Sequence, residues 1–346
     1  MHHVLTVNNL EVSFQTAAGT LKAVRGISFN LERGKTLAIV GESGSGKSVT
    51  SKAILRILAG NAAVKNGEIF YDGRDLLKLS EEEMCGIRGG RIAMVFQDPM
   101  SALNPIMKIG KQITEAMMLK KGMSGQRAKE KAIQLMEEVG IPEPHIRYNQ
   151  YPFQFSGGMR QRIVIAIALA ADPEILICDE PTTALDVTIQ AQILELIDRL
   201  KEERHLSVIF ITHDLGVVAN IADEVAVMYA GKLVEYGTAD DIFYDPRHPY
   251  TWALLSSMPD METRGKLDAI PGSPPNMIFP PPGDAFAPRN PYAMKIDFQR
   301  HPPNFQISPT HWAATWLLHP NAPRVALPQT LADRIEQMKK MEGTEL

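Results

Sequence analysis

The chain contains only two cysteines, Cys85 and Cys178, far apart in sequence and without metal-like spacing. Two such residues rule out a disulfide framework and suit a reducing compartment. Basic charge is no more abundant. Lysine and arginine total 36 against 40 aspartates and glutamates, a formal net charge of −4, so the chain has no electrostatic footprint for wrapping nucleic acid. Long apolar runs are missing as well. The longest, Ile163 to Ala171, is far below the roughly 18 residues of a membrane span. Met1 to Leu10 carries no basic segment followed by an apolar stretch of the kind that directs export. A transport role would therefore require other chains to supply the pore. What remains is an ordinary globular composition, 45% hydrophobic and 22% charged, in 346 residues, enough for two domains or one domain with an appendage.

Short β-rich runs alternate with helical periodicity through most of the chain. Thr36–Val40, Ile92–Phe96, Ile175–Cys178 and Ser207–Ile211 read as buried strands, which predicts an α/β fold with a mostly parallel sheet. Between the second and third of these lies a helical insertion, Asp98 to about Phe155. Its residues Ala128, Ala132, Leu135, Met136 and Val139 share one face, and Gly140 closes the helix. From Pro271 to Pro303 prolines are dense enough to exclude long helices and central strands. The tail reads as a separate module, with Phe286, Tyr292, Phe298, Phe305, Trp312 and Trp316 as apolar anchors.

Gly41-Glu42-Ser43-Gly44-Ser45-Gly46-Lys47-Ser48 follows the strand Thr36–Val40 and precedes a helical run from Val49 to Ala59. It therefore meets both the pattern and the context of a P-loop. Its glycines let successive N–H groups turn inward around phosphate oxygens, and the helix start adds partial positive charge. Lys47 is expected to reach the β- and γ-phosphates, and Ser48 to hold Mg²⁺ through its hydroxyl. The apolar run Ile175–Cys178 ends in Asp179 and Glu180, so a buried ladder delivers two carboxylates to the edge where parallel sheets bind ligands. Asp179 is expected at Mg²⁺, and Glu180 as the base that orients and deprotonates the attacking water.

Many ATPases and GTPases share those two features, and the next residues narrow the choice. Phe155-Ser156-Gly157-Gly158-Met159-Arg160-Gln161-Arg162 is a second glycine-rich helix start, readable as a bland N-cap or as an anion site. It resembles the signature sequence of the ATP-binding cassette family, although Met159 stands where glutamine is more usual. Further resemblances follow in order. Gln97 is similar to the Q-loop glutamine that contacts Mg²⁺ and the attacking water. Ala184-Leu185-Asp186 is similar to the D-loop at the dimer interface, and His213 to the switch histidine at the γ-phosphate. Phe14 sits where the family places an aromatic on adenine, with a core phenylalanine as the alternative.

The resemblance covers residues 4 to 240. It implies a RecA-like P-loop core with antiparallel N-terminal strands over 1–97 and 156–240, a helical subdomain over 98–155, and a Pro-rich extension over 241–346. It also implies a head-to-tail dimer in which each ATP, with Mg²⁺, lies between one subunit's P-loop (Gly41, Ser43, Gly44, Ser45, Gly46, Lys47, Ser48, Val49) and the other's Ser156, Gly157, Gly158 and Asp186.

Finer resemblance, to the first of the two ATPases in oligopeptide and dipeptide importers, comes from Met159 in the signature, from Gly46-Lys47-Ser48-Val49-Thr50 and from Thr188–Leu194. In the tail it comes from Arg247-His248-Pro249-Tyr250-Thr251, Leu254-Leu255 and Pro259, from Pro282-Gly283 with Phe286-Ala287-Pro288-Arg289, and from His311-Trp312 through Pro320. It implies two membrane-spanning permease subunits, a second ATPase of like or unlike sequence, an extracytoplasmic peptide-binding protein acting indirectly, and a peripheral place on the cytoplasmic face of the cell membrane. An importer of metals or sugars, and a soluble non-transport ATPase, are the alternatives. A regulatory cassette would have lost Glu180 or His213. Many such importer ATPases hold an iron–sulfur cluster on four tail cysteines. The matching positions here are Asp284, Asn290, Asp297 and Thr315, whose hard oxygens do not replace thiolates, so no cluster is expected.

Overall fold

A computed structural model describes residues 3–183, 185–258 and 270–342. The chain divides into two compact units, one built chiefly from Tyr71–Ile211, the other from Thr6–Asn30, Leu37–Phe70 and Thr212 onward.

In the first unit, Ile92–Val95 pairs in parallel with Ile175–Asp179, which pairs in parallel with Ser207–Thr212. Every residue of the last two strands is buried, as the unbroken apolar runs predict for a sheet covered on both faces. The first of the three ends at Val95, and Phe96, expected inside it, is 39% exposed. The residues between these strands form Pro99–Ala102, Ile109–Lys121, Gly125–Glu138 and Pro144–Arg147. Helix Gly125–Glu138 buries Ala128, Ala132, Leu135 and Met136; Val139, its C-cap, is buried and Gly140 turns left-handed at φ 77°.

In the second unit, Thr36–Val40 runs parallel to Glu224–Tyr229, and Lys232–Thr238 is antiparallel to the latter. The tail extends this sheet. Trp312–Ala313 pairs with Lys232–Thr238, placing Ala313 opposite Glu235, and Phe305–Gln306 pairs with Trp312–Ala313. A second sheet sets His3–Thr16 between Gly19–Glu32 and Ala62–Tyr71. Between Pro271 and Pro303 the described chain holds a single short 3₁₀ turn, Ala287–Arg289, in line with the proline density. Phe286, Tyr250, Trp252, Leu331 and Ile335 nevertheless share one core with Ala38, Val40 and Val227, so the tail packs as a continuation of this unit. Tyr292 packs against that core, Trp312 stacks on Tyr236, and Trp316 meets Phe305 edge-on. Phe298, read as an anchor, is instead 52% exposed.

Candidate active site

Backbone geometry shapes the phosphate-binding turn. At Gly41, φ is 149° and a Cβ would lie 2.0 Å from the Met228 carbonyl oxygen; at Gly46, φ is 109° and a Cβ would lie 2.6 Å from that of Ala23. Only glycine satisfies both the torsion and the space. The helix that follows is Lys47–Ile54, without a side-chain cap. It starts two residues before, and ends five before, the run Val49–Ala59 read from sequence, because the chain leaves helical geometry at Arg56, φ 52°. First-turn amides have no intrahelical acceptor and carry partial positive charge.

Lys47, 4% exposed, donates from Nζ to the carbonyls of Gly41 at 2.7 Å and Glu42 at 3.0 Å. The hydroxyl of Ser45 is buried without a hydrogen-bond partner among the described residues, which suits a turn built to receive an acceptor. Ser43 and Gly44 are exposed, while Ser48 and Val49 are half-buried in the first helical turn. Phe14 is half-buried on the strand His3–Thr16.

Asp179 closes its buried strand at 4% exposure, and the chain then turns sharply. Glu180 takes φ 50°, a left-handed conformation that costs a non-glycine residue roughly 1–3 kcal/mol and gathers at functional sites. Its N–H donates to the Ile211 carbonyl at 2.9 Å. Its Oε2 accepts from Gln97 Nε2 at 3.2 Å and from Thr183 Oγ1 at 3.0 Å. The expected base and the expected Q-loop glutamine thus meet, although they are far apart in sequence. Cys178, one position before Asp179, is fully buried and desolvation pushes its thiol far up, so it is chemically inert.

The signature helix is Gly157–Leu169, capped by Ser156, whose Oγ accepts from Met159 N at 3.3 Å. Asp186 caps Val187–Arg204 in the same way, accepting from Ile189 N at 2.9 Å. A Cβ on Gly158 would come within 2.7 Å of Ile189 Cγ2, so this glycine brings the two helix starts together. Of the expected D-loop, Leu185 and Asp186 are described and Ala184 lies outside the described residues, as does Pro259 of the tail motif. His213 is exposed just beyond Ser207–Thr212, and Asp214 caps the next helix.

Sequence reasoning passed over Thr183, three residues from Glu180. It also passed over Tyr250 and Arg289, both of which engage Glu42 of the phosphate turn. The last two sit inside tail segments that stood out by family likeness alone; a glutamate in a loop gives no sequence signal that it has a distant partner.

The ABC transporter family profile matches residues 24–183, and the profile of the oligopeptide/dipeptide transporter C-terminal region matches 234–296. The chain is 58% identical over 344 residues to an oligopeptide transport ATP-binding protein of Bacillus subtilis, covering 99% of this chain and 95% of that one. It is 57% identical over 342 residues to a dipeptide transport ATP-binding protein of Lactococcus lactis, covering 98% of each. Among solved structures, a dimeric ATP-binding cassette bound to ADP and phosphate superposes with a TM-score of 0.61 at 27% identity, covering 68% of this chain and 98% of that one. The chain therefore belongs to the ABC transporter family, as one of its ATP-hydrolysing cassettes.

Proposed function

We propose that this cassette powers an importer of oligopeptides or dipeptides. The observation that carries the solute class is the match of residues 234–296 to the C-terminal region of oligopeptide/dipeptide transporters, supported by relatives whose transport names specify such peptides. No helix among the described residues is long and apolar enough to cross a membrane, so the pore is assigned to two permease subunits. The chain would sit against them on the cytoplasmic face, paired with a second ATPase, with a peptide-binding protein delivering the solute from outside. Purifying the native complex tests this: membrane subunits and a peptide-binding protein should co-purify, and peptide should stimulate ATP hydrolysis. Co-purification with a sugar- or metal-binding protein, or with no membrane subunit, would overturn it.

In this reading 1–97 and 156–240 are the nucleotide-binding core, 98–155 the helical subdomain and 241–346 the importer-type extension. Lys47, the Ser45 hydroxyl and the first-turn amides through Val49 hold phosphate oxygens, and Phe14 faces the adenine. Ser48, Asp179 and Gln97 offer the hard oxygen donors that Mg²⁺ takes; for Gln97 the donor is Oε1, since Nε2 is committed to Glu180. Mg²⁺ there would neutralise charge between the phosphates. Glu180 takes the proton of the attacking water, and His213 contacts the γ-phosphate.

Ser156, Gly157, Gly158 and Asp186 serve the nucleotide held by the partner cassette. Replacing Ser156 with arginine should therefore leave ATP affinity of the isolated chain unchanged while lowering ATPase of the assembled transporter by about 10²-fold, the scale of losing one preorganised anion donor. Loss of ATP binding in the isolated variant would contradict a shared site.

The extension is expected to hold no iron–sulfur cluster. Protein purified without oxygen should be colourless, lacking absorption near about 400 nm and stoichiometric iron, whereas about four irons per chain would overturn this.

A further inference from the structure

The C-terminal extension reaches the phosphate-binding turn itself. Glu42, the residue after Gly41, is gripped at two points. Its backbone N–H donates to Tyr250 Oη at 2.8 Å, and its carboxylate forms a two-pronged pair with Arg289, Oε2 to Nη1 at 2.6 Å and Oε1 to Nη2 at 3.0 Å. The Glu42 carbonyl, on the same residue, accepts from Lys47 Nζ, as does that of Gly41. Pro274, Pro275 and Met277 line a small cavity with Glu42, Ser43, Gly44 and Ser45.

Arg289 is built to stay where it is. It is 4% exposed at the side chain, and each of its five N–H donors has a partner. Nε donates to the Pro271 carbonyl at 2.7 Å, Nη1 to Glu42 and to Tyr229 Oη at 3.1 Å, and Nη2 to Glu42 and to the Ile270 carbonyl at 3.4 Å. The guanidinium also lies 5.8 Å from the centroid of the Tyr229 ring and 5.9 Å from that of Phe286. A fully satisfied, forked cation of this kind has little freedom to release a carboxylate. Tyr250 is equally fixed, packed on Tyr229 with ring centroids 4.5 Å apart.

We propose that Arg289 and Tyr250 are positioning residues for nucleotide binding: by clamping Glu42 they hold the turn that places Lys47, so that the extension sets the affinity of the site for ATP. The inference rests on ATP binding at this turn. It requires no contact between the extension and the nucleotide, since Glu42 transmits the constraint through its own peptide groups.

The test is equilibrium binding of a fluorescent ATP analogue with Mg²⁺ to the full chain, alongside its melting temperature. Glu42→Ala and Arg289→Met are each expected to weaken binding about tenfold, the scale seen when support behind a binding group is removed. The double variant should be no weaker than either single one, because both break the same clamp. Arg289→Lys, which keeps the charge without the fork, should recover only part of the loss. A purely structural Arg289 would lower the melting temperature and leave affinity alone. Binding within about twofold of the parent in Glu42→Ala, or losses that add in the double variant, would overturn the proposal. Should Arg289→Met fail to fold, Glu42→Ala decides by the same criterion, because it leaves the Arg289 side chain and its bonds to the Pro271 carbonyl, Tyr229 and the Ile270 carbonyl in place. Lys47→Ala is the control: if it binds the analogue normally, the reading of the turn itself fails, and not the clamp.

Discussion

Replacing Glu180 with glutamine should leave ATP binding intact and slow hydrolysis in the assembled transporter by about 10²- to 10⁴-fold, roughly 3 to 5 kcal/mol of barrier. The substitution is close to isosteric. The amide oxygen can still accept from Gln97 Nε2 or Thr183 Oγ1, whose bonds to the carboxylate are 3.2 and 3.0 Å. The backbone bond from residue 180 to Ile211 does not involve the side chain, so the left-handed turn that aims it should survive. What disappears is basicity. Single-turnover hydrolysis beside equilibrium ATP binding separates the two effects, and parent-like turnover would remove Glu180 from the role of base.

The turn at Glu180 also shows where the sequence was informative and where it was silent. Strands such as Ile175–Asp179 were legible because both faces are covered, which leaves an unbroken apolar run with no competing period. The phosphate turn was legible because its backbone admits only glycine at Gly41 and Gly46, a steric demand written directly as residue type. Helix limits were less legible: Lys47–Ile54 begins and ends where torsions change, at Gly46 and Arg56, and the apolar pattern runs on past that point. Phe298 failed as an anchor because hydrophobicity fixes what a side chain favours, and the fold decides which of six candidates the core has room for. Least legible were the long-range polar partners. Nothing around Glu42 announces Arg289, 247 positions away, because an ion pair depends on topology and leaves no periodicity behind.

The four tail positions Asp284, Asn290, Asp297 and Thr315, which the family resemblance matches to cluster cysteines, show how polar residues stabilise this module, and they yield the second large effect. Each side chain caps its own turn: Asp284 Oδ1 accepts from Phe286 N at 3.0 Å, Asn290 Oδ1 from Tyr292 N at 2.9 Å, Asp297 Oδ2 from Met294 N at 2.6 Å, and Thr315 Oγ1 from Leu317 N at 3.3 Å. The turns are stitched together by Asp284 N–H donating to the Asp297 carbonyl at 2.7 Å. This arrangement carries an electrostatic cost. Burial pushes the Asp284 carboxyl from its ordinary 3.8 up to about 6, the neighbouring Asp297 carboxylate adds to the rise, and the Phe286 N–H and Arg25 oppose it. Burial raises Asp297 as well. An acid with a raised folded pKa binds more protons folded than unfolded, so its contribution is favourable below pH 3.8 and is lost as pH climbs from there to about 6. That loss is on the order of 3 kcal/mol at neutral pH. Replacing Asp284 with asparagine keeps the capping oxygen and removes the charge, so the variant should melt higher than the parent at pH 8, and the gap should close near pH 4, where the parent is protonated. Melting temperatures of both proteins across that range provide the measurement. A gap that does not change with pH, or a variant that melts lower at pH 8, would show that the Asp284 carboxylate is not the group whose burial the tail must tolerate.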